Sequence, residues 1–128
     1  MKYKFLENDF VYMEIKNELL YVRFKTKEID RELAQKIVRL RLSFVEGCTL
    51  PIIVDGIEVK RLTKGAREVL STEEASQYTA ALAAVVHNPV TRTIANFFLR
   101  FQQPRYPFRL FSSIKDAKTW LKKYQPNT

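Results

Sequence analysis

Cysteine, glycine, histidine and long apolar runs are all scarce in this chain. A single cysteine, Cys48, cannot close an internal disulfide, so the fold rests on its core, and a reduced, cytoplasmic protein is expected. No cationic start followed by an apolar stretch marks a secretory leader, and no apolar run reaches the roughly 18 residues of a membrane span. Three glycines leave no glycine-rich phosphate loop. One histidine, His87, lies far in sequence from the one cysteine and gives no metal-ligand spacing, so neither a metal nor another cofactor is expected.

Hydrophobic residues make up 46% of the 128, enough for one domain spanning residues 1–128 with a core of its own. The net charge of +8 is unevenly spread. From Thr79 onward eight bases face one acid, Asp116, whereas the first 78 residues hold 14 bases and 13 acids. That asymmetry raises an anionic partner, whether nucleic acid, acidic protein or membrane surface, against the plainer reading of a solubilising basic surface.

The stretch Thr79–Phe101, TAALAAVVHNPVTRTIANFFLRF, organises the chain. Ala80 to Val86 is apolar without alternation, as a strand covered on both faces requires. Asn88 then supplies a capping oxygen and Pro89 the first helical position. Val90, Ile94, Phe97 and Phe101 form the stripe that packs on the sheet. Ala95, Phe98 and Leu99 fall outside it, which makes the apolar arc too wide for burial on one side.

Earlier in the chain, Phe10–Ile15 and Leu19–Phe24 alternate as strands do, and Lys16, Asn17 and Glu18 turn between them, predicting an antiparallel hairpin. Asp30 caps a helix whose Leu33, Ile37, Leu40 and Phe44 face inward until Gly47 stops it, with Lys36, Arg39 and Arg41 on a solvated face. Ile52–Val54 is a short strand ending at Asp55-Gly56. Thr63 caps a helix to Leu70, weakened by Gly65, and Ser71 with Glu74 has capping-box spacing for another turn. Pro104 and Pro107 end the long helix. Phe108–Phe111 is a last strand, and Ser113 with Asp116 opens a terminal helix burying Ala117, Trp120, Leu121 and Tyr124. The pattern predicts an α/β fold: a mostly parallel mixed sheet of about five strands with an N-terminal antiparallel hairpin and crossover helices.

This order, and the segment Pro51–Leu70 above all, resembles the STAS-like domains, the group of anti-sigma-factor antagonists and sulfate-transporter tails. The stretches LTKGAREVLSTEEA and VVHNPVTRTIANFFLRF look closest to an uncharacterised bacterial branch. The resemblance covers most of the chain and implies a non-enzymatic interaction module. Antagonists carry a phosphorylatable serine in an Asp-Ser-Ser-Gly-like turn. The matching turn here, Thr63-Lys64-Gly65-Ala66, has none, so the resemblance does not extend to a phospho-switch.

Three sets of candidate residues follow. Asp55, His87 and Ser112 fall at the carboxyl ends of predicted parallel strands, where open α/β sheets bind ligands. They are the ingredients of an acid, base and nucleophile, but each also has a turn or cap role, so no catalytic residue is assigned. Beside them the helix start at Asn88, with Thr91 and Arg92, offers a place for a small anion, and the alternative function is a small-anion or lipid-ligand domain using this rim. The apolar surplus Ala95, Phe98 and Leu99 predicts a contact surface, with a homodimer or another protein as partner. Finally, Arg100, Arg105 and Arg109 interleave with aromatics in a manner suited to an anionic partner. Strand alternation sends several of those aromatics to the core, which argues against nucleic acid and leaves a membrane surface.

Overall fold

A computed structural model describes residues 3–100 and 105–126, with residues 98–100 as backbone only. In chain order the elements are β1 (Lys4–Glu7), β2 (Val11–Lys16), β3 (Leu19–Phe24), β4 (Glu28–Ile29), α1 (Arg31–Val45), β5 (Leu50–Gly56), β6 (Arg61–Leu62), α2 (Lys64–Leu70), α3 (Glu73–Ser76), β7 (Thr79–Val86), α4 (Asn88–Arg100), β8 (Phe108–Phe111) and α5 (Ile114–Leu121). Six strands form one sheet in the order β1-β2-β3-β5-β7-β8. The first two pairings are antiparallel and the other three parallel. Strands β4 and β6 pair in parallel as a separate clip that sets the starts of α1 and α2 side by side.

The predicted α/β architecture is present, with one more strand in the main sheet than expected. Strand β1 is too short and too charged at its ends to announce itself: in KFLE only Phe5 and Leu6 are apolar, and they point to opposite faces. The β2–β3 hairpin turns through Asn17 and Glu18, both left-handed (φ 53° and 58°), as a two-residue turn matched to strand twist requires.

Two cores lie on the two faces of the sheet. On one, α1, α2 and α4 cover Val11, Met13, Leu20, Val22 and Ile52. On the other, α5 lays Ala117 and Leu121 on Ile53, Ala81, Ala83 and Val85, where the small alanines allow close approach. This two-sided burial explains the unbroken apolar run of β7.

Three caps stand where expected. Asp30 accepts from the Leu33 N–H at 2.9 Å, Thr63 from Ala66 at 3.1 Å and Ser113 from Asp116 at 3.2 Å. Others shift. Thr72, rather than Ser71, caps α3, accepting from Ala75 at 3.2 Å, while the Ser71 hydroxyl donates back to the Arg67 carbonyl. Helix α4 starts one residue early: the His87 carbonyl accepts from the Thr91 N–H at 2.9 Å, so Asn88 lies inside the helix and is not its cap. In α1 the buried face is Ala34, Ile37, Val38, Arg41, Phe44 and Val45. Leu33 and Leu40 are only half-buried, and Arg41, expected in solvent, is among the most buried residues of the helix.

Candidate functional site

The parallel strands β5, β7 and β8 do bring Asp55, His87 and Ser112 to one end of the sheet, since Asp55 is in register with Val85 and Val85 with Phe111. Their environments differ. Asp55 is 6% exposed and accepts hydrogen bonds from the Tyr21 hydroxyl and, at 3.2 Å, from the Ile57 N–H. His87 and Ser112 are exposed, and no hydrogen bond among the described residues joins any two of the three. The Asp55 carboxylate is thus tied to strand and turn, and burial together with the Asp55 bond holds the Tyr21 phenol above the ordinary range.

At the start of α4 the Thr91 N–H is taken by His87, leaving a poorer anion cradle than the sequence suggested. Asn88 and Arg92 are exposed and Thr91 is half-buried. Ala95 is half-buried, while the side chains of Phe98, Leu99 and Arg100 lie outside the described residues. Arg105 is exposed and lies 3.6 Å from Glu73, and the exposed Arg109 guanidinium lies over the Phe111 ring at 5.5 Å. Among the described residues no group of acids, histidine and cysteine is arranged to hold a metal ion, and no helix is long and apolar enough to cross a membrane.

Two features that sequence reading missed are better formed. The first is the outer face of β1, β2 and β3. Helix α5 packs on β5, β7 and β8, and its core reaches as far as Leu19 and Tyr21 of β3, so that among the described residues no helix lies over β1 and β2 on this side. Alternation puts Phe5, Tyr12 and Tyr21 on this side, joined by Tyr3, in a row with ring centroids 6.3, 6.3 and 6.1 Å apart. Tyr3 and Phe5 are 55% and 60% exposed. Tyr12 donates to Glu14 at 2.8 Å and Tyr3 donates to the same carboxylate oxygen at 3.4 Å, so hydroxyls hold the rings in place. The Glu14 bond pushes the Tyr12 phenol upward. The Arg23 guanidinium lies over the Tyr12 ring at 5.5 Å. The period-two pattern, which puts one tyrosine among the outward residues Tyr12, Glu14 and Lys16 and one among Leu19, Tyr21 and Arg23, was the available signal.

The second is a cavity of about 120 Å³ between the sheet and helices α1, α2 and α4. Its floor includes Val22, Ile52, Leu82 and Ala84, and its other walls include Arg41, Arg67, Phe97 and Tyr106. A small residue, Ala84, on the floor leaves room that a larger side chain would fill. Arg41 reaches it from the buried face of α1, where it follows Ile37 by four residues and precedes Phe44 by three. That spacing was legible in the sequence. The carbonyls that receive its guanidinium, on Ala75 and Gln77, were not.

Among solved structures, an uncharacterised protein of the DUF3478 family with a SpoIIAA-like fold, from Shewanella loihica PV-4, is similar at 16% identity, with a TM-score of 0.58 over 94% of this chain and 92% of that one. The likeness establishes the STAS-like architecture anticipated from the sequence. No curated protein matches the sequence. With residues 13–125 matching the profile of the Domain of unknown function (DUF7793), the chain belongs to that family.

Proposed function

We propose that the chain is a non-enzymatic, cytoplasmic interaction module that works as a homodimer paired through the outer face of β1 to β3. The observation that carries this reading is the row Tyr3, Phe5 and Tyr12, held by its contacts and hydrogen bonds, exposed at Tyr3 and Phe5, and anchored at its inner end by Tyr21, which packs on the second core. Large aromatic side chains fixed in position lose little entropy on docking and anchor protein interfaces. The STAS-like fold is in keeping with a regulatory or interaction role.

Charge argues for a second copy as the occupant. The chain as a whole is at +8 and repels itself. On the outer face of β1 to β3, however, Glu7 and Glu14 lie among Lys16, Arg23 and Lys25, so charges of both signs are present and two copies meet there with less repulsion than the charge of the whole chain implies. A two-fold pairing further allows Arg23 of one copy to face Glu14 of the other. Carboxylates within the aromatic row weigh against stacked nucleic acid, whose phosphates they would repel.

Sedimentation velocity of the wild type and Phe5→Glu tests the proposal. Phe5 is exposed, so the substitution leaves the fold intact. A wild-type dimer that becomes monomeric in Phe5→Glu is expected. A monomeric wild type, or a Phe5→Glu variant that stays dimeric, overturns it. Leu99→Arg run in parallel tests the α4 surface suggested by the sequence, and dissociation by that change alone moves the interface there.

A further inference from the structure

The cavity carries a charge pattern that packing does not require. Two arginines, Arg41 and Arg67, and Tyr106 line it, and no carboxylate does among the described residues. Arg41 is 7% exposed. Its Nη2 donates to the Ala75 and Gln77 carbonyls, both at 2.9 Å, while its Nη1 is buried with no hydrogen-bond partner among the described residues. Arg67 donates from Nη1 to the Leu62 carbonyl at 2.6 Å and lies 5.7 Å from the Phe97 ring centre, and its buried Nε has no hydrogen-bond partner among the described residues. Burial pulls the Arg41 guanidinium below its ordinary range and pushes the Tyr106 phenol above its own, and each is close enough to act on the other's charge. A buried cation whose nearest polar partners are two neutral carbonyls is costly to fold around, and an anion relieves that cost.

We propose that this cavity binds a small amphipathic monocarboxylate, with its carboxylate on Arg41 Nη1 and its hydrocarbon against Ile52, Leu82 and Ala84. Volume sets the size: an apolar cavity of about 150 Å³ holds a benzene ring, so about 120 Å³ suits a smaller hydrocarbon, a chain of roughly four or five carbons beside the carboxylate. The almost wholly apolar lining sets the charge. Apart from Arg41, with Arg67 as a second cation, it supplies almost nothing to an anion, so one carboxylate on Arg41 is the most it takes and a phosphate dianion would find too few donors. A neutral hydrocarbon would fill the space and leave both unpartnered guanidinium atoms as they are.

Methyl NMR on the intact protein tests this, with hexanoate, whose tail has five carbons, as the probe and hexan-1-ol as the uncharged control. Saturable shifts in the methyls of Val22, Ile52 and Leu82 are expected, with hexanoate at least tenfold tighter than hexan-1-ol. Ala84→Leu leaves Arg41 in place and fills the floor, and it is expected to weaken hexanoate at least tenfold. Arg41→Met is expected to abolish the preference for hexanoate over hexan-1-ol. Absence of saturable shifts at millimolar probe, equal affinity for hexan-1-ol, or undiminished binding by Ala84→Leu overturns the proposal. The wild-type comparison and Ala84→Leu keep the test decisive if Arg41→Met does not fold.

Discussion

Tyr21 donates its phenolic hydroxyl to the carboxylate of Asp55 across the parallel pair β3 and β5. The two are not register partners, since Asp55 lies opposite Arg23, so the bond runs diagonally along the sheet. It converts the acid at the end of β5 from a candidate base into an anchor for the turn that follows, where the Ile57 N–H completes its coordination.

Removing that hydroxyl leaves a buried carboxylate one donor short. Tyr21→Phe is expected to cost about 1–3 kcal/mol in urea unfolding at neutral pH, the range for a hydrogen bond to a charged group. The folded chain raises the phenol above its ordinary range, so the native state keeps the proton where the unfolded chain has lost it. The contribution is therefore full below roughly pH 10 and declines as pH rises through the folded value. Stability measured across the alkaline limb is expected to fall more steeply in the wild type than in Tyr21→Phe.

The two helix starts nearest the candidate rims respond differently to alanine. Thr63 accepts from the Ala66 N–H, and Thr63→Ala is expected to cost about 1 kcal/mol. Asn88 lies within α4, whose first turn closes on the His87 carbonyl, so Asn88→Ala is expected to change stability by less than about 0.5 kcal/mol. Chemical denaturation of both variants separates the outcomes, and a large loss in Asn88→Ala would restore it as the cap.

Helix propensity favours alanine over glycine at position 65, yet Gly65→Ala is expected to destabilise. A Cβ there would sit 2.9 Å from Cβ and 3.1 Å from Nε of Arg31 on the neighbouring helix. Because the nearest atom is a Cβ fixed to the backbone of α1, the helices must part, and a loss of about 1–3 kcal/mol is expected by thermal or urea unfolding. An increase in stability would show that α2 shifts freely.

Arg31 also forms an ion pair through Nη2 with Glu68, joining the same two helices. Both side chains are substantially exposed, at 55% and 42%, so water screens the pair. Glu68→Gln is expected to change unfolding stability by less than about 1 kcal/mol, with the difference vanishing in high salt.

Asp30, Thr63 and Ser113 were legible in the sequence because a short polar side chain bonds to its own backbone three residues on, an interaction that depends on little else. Strand β3 was legible for a similar reason, its alternation being local. Arg41 was not. Whether an arginine on an apolar stripe reaches water or turns inward depends on what arrives 34 and 36 residues later, and here that is the pair of carbonyls closing α3. The aromatic face was hidden likewise: Tyr12 and Tyr21 read as ordinary strand residues until β1 adds Phe5 beside them and α5 stops short of β1 and β2. Ala84 read as room for a helix, and only the placement of α1, α2 and α4 shows that some of that room stays empty.

Because the spatial order of the main sheet follows the order of its strands along the chain, no strand has to be threaded between two that have already paired. A ribosome releasing this protein from its amino end can therefore lay the sheet down from one edge, each new strand joining the last, and most of the first core can assemble while the carboxyl-terminal segment is still being made. The second core, by contrast, waits for Ala117 and Leu121 to emerge, so until they do the surface of Ile53, Ala83 and Val85 stands open to chaperones and to neighbouring chains.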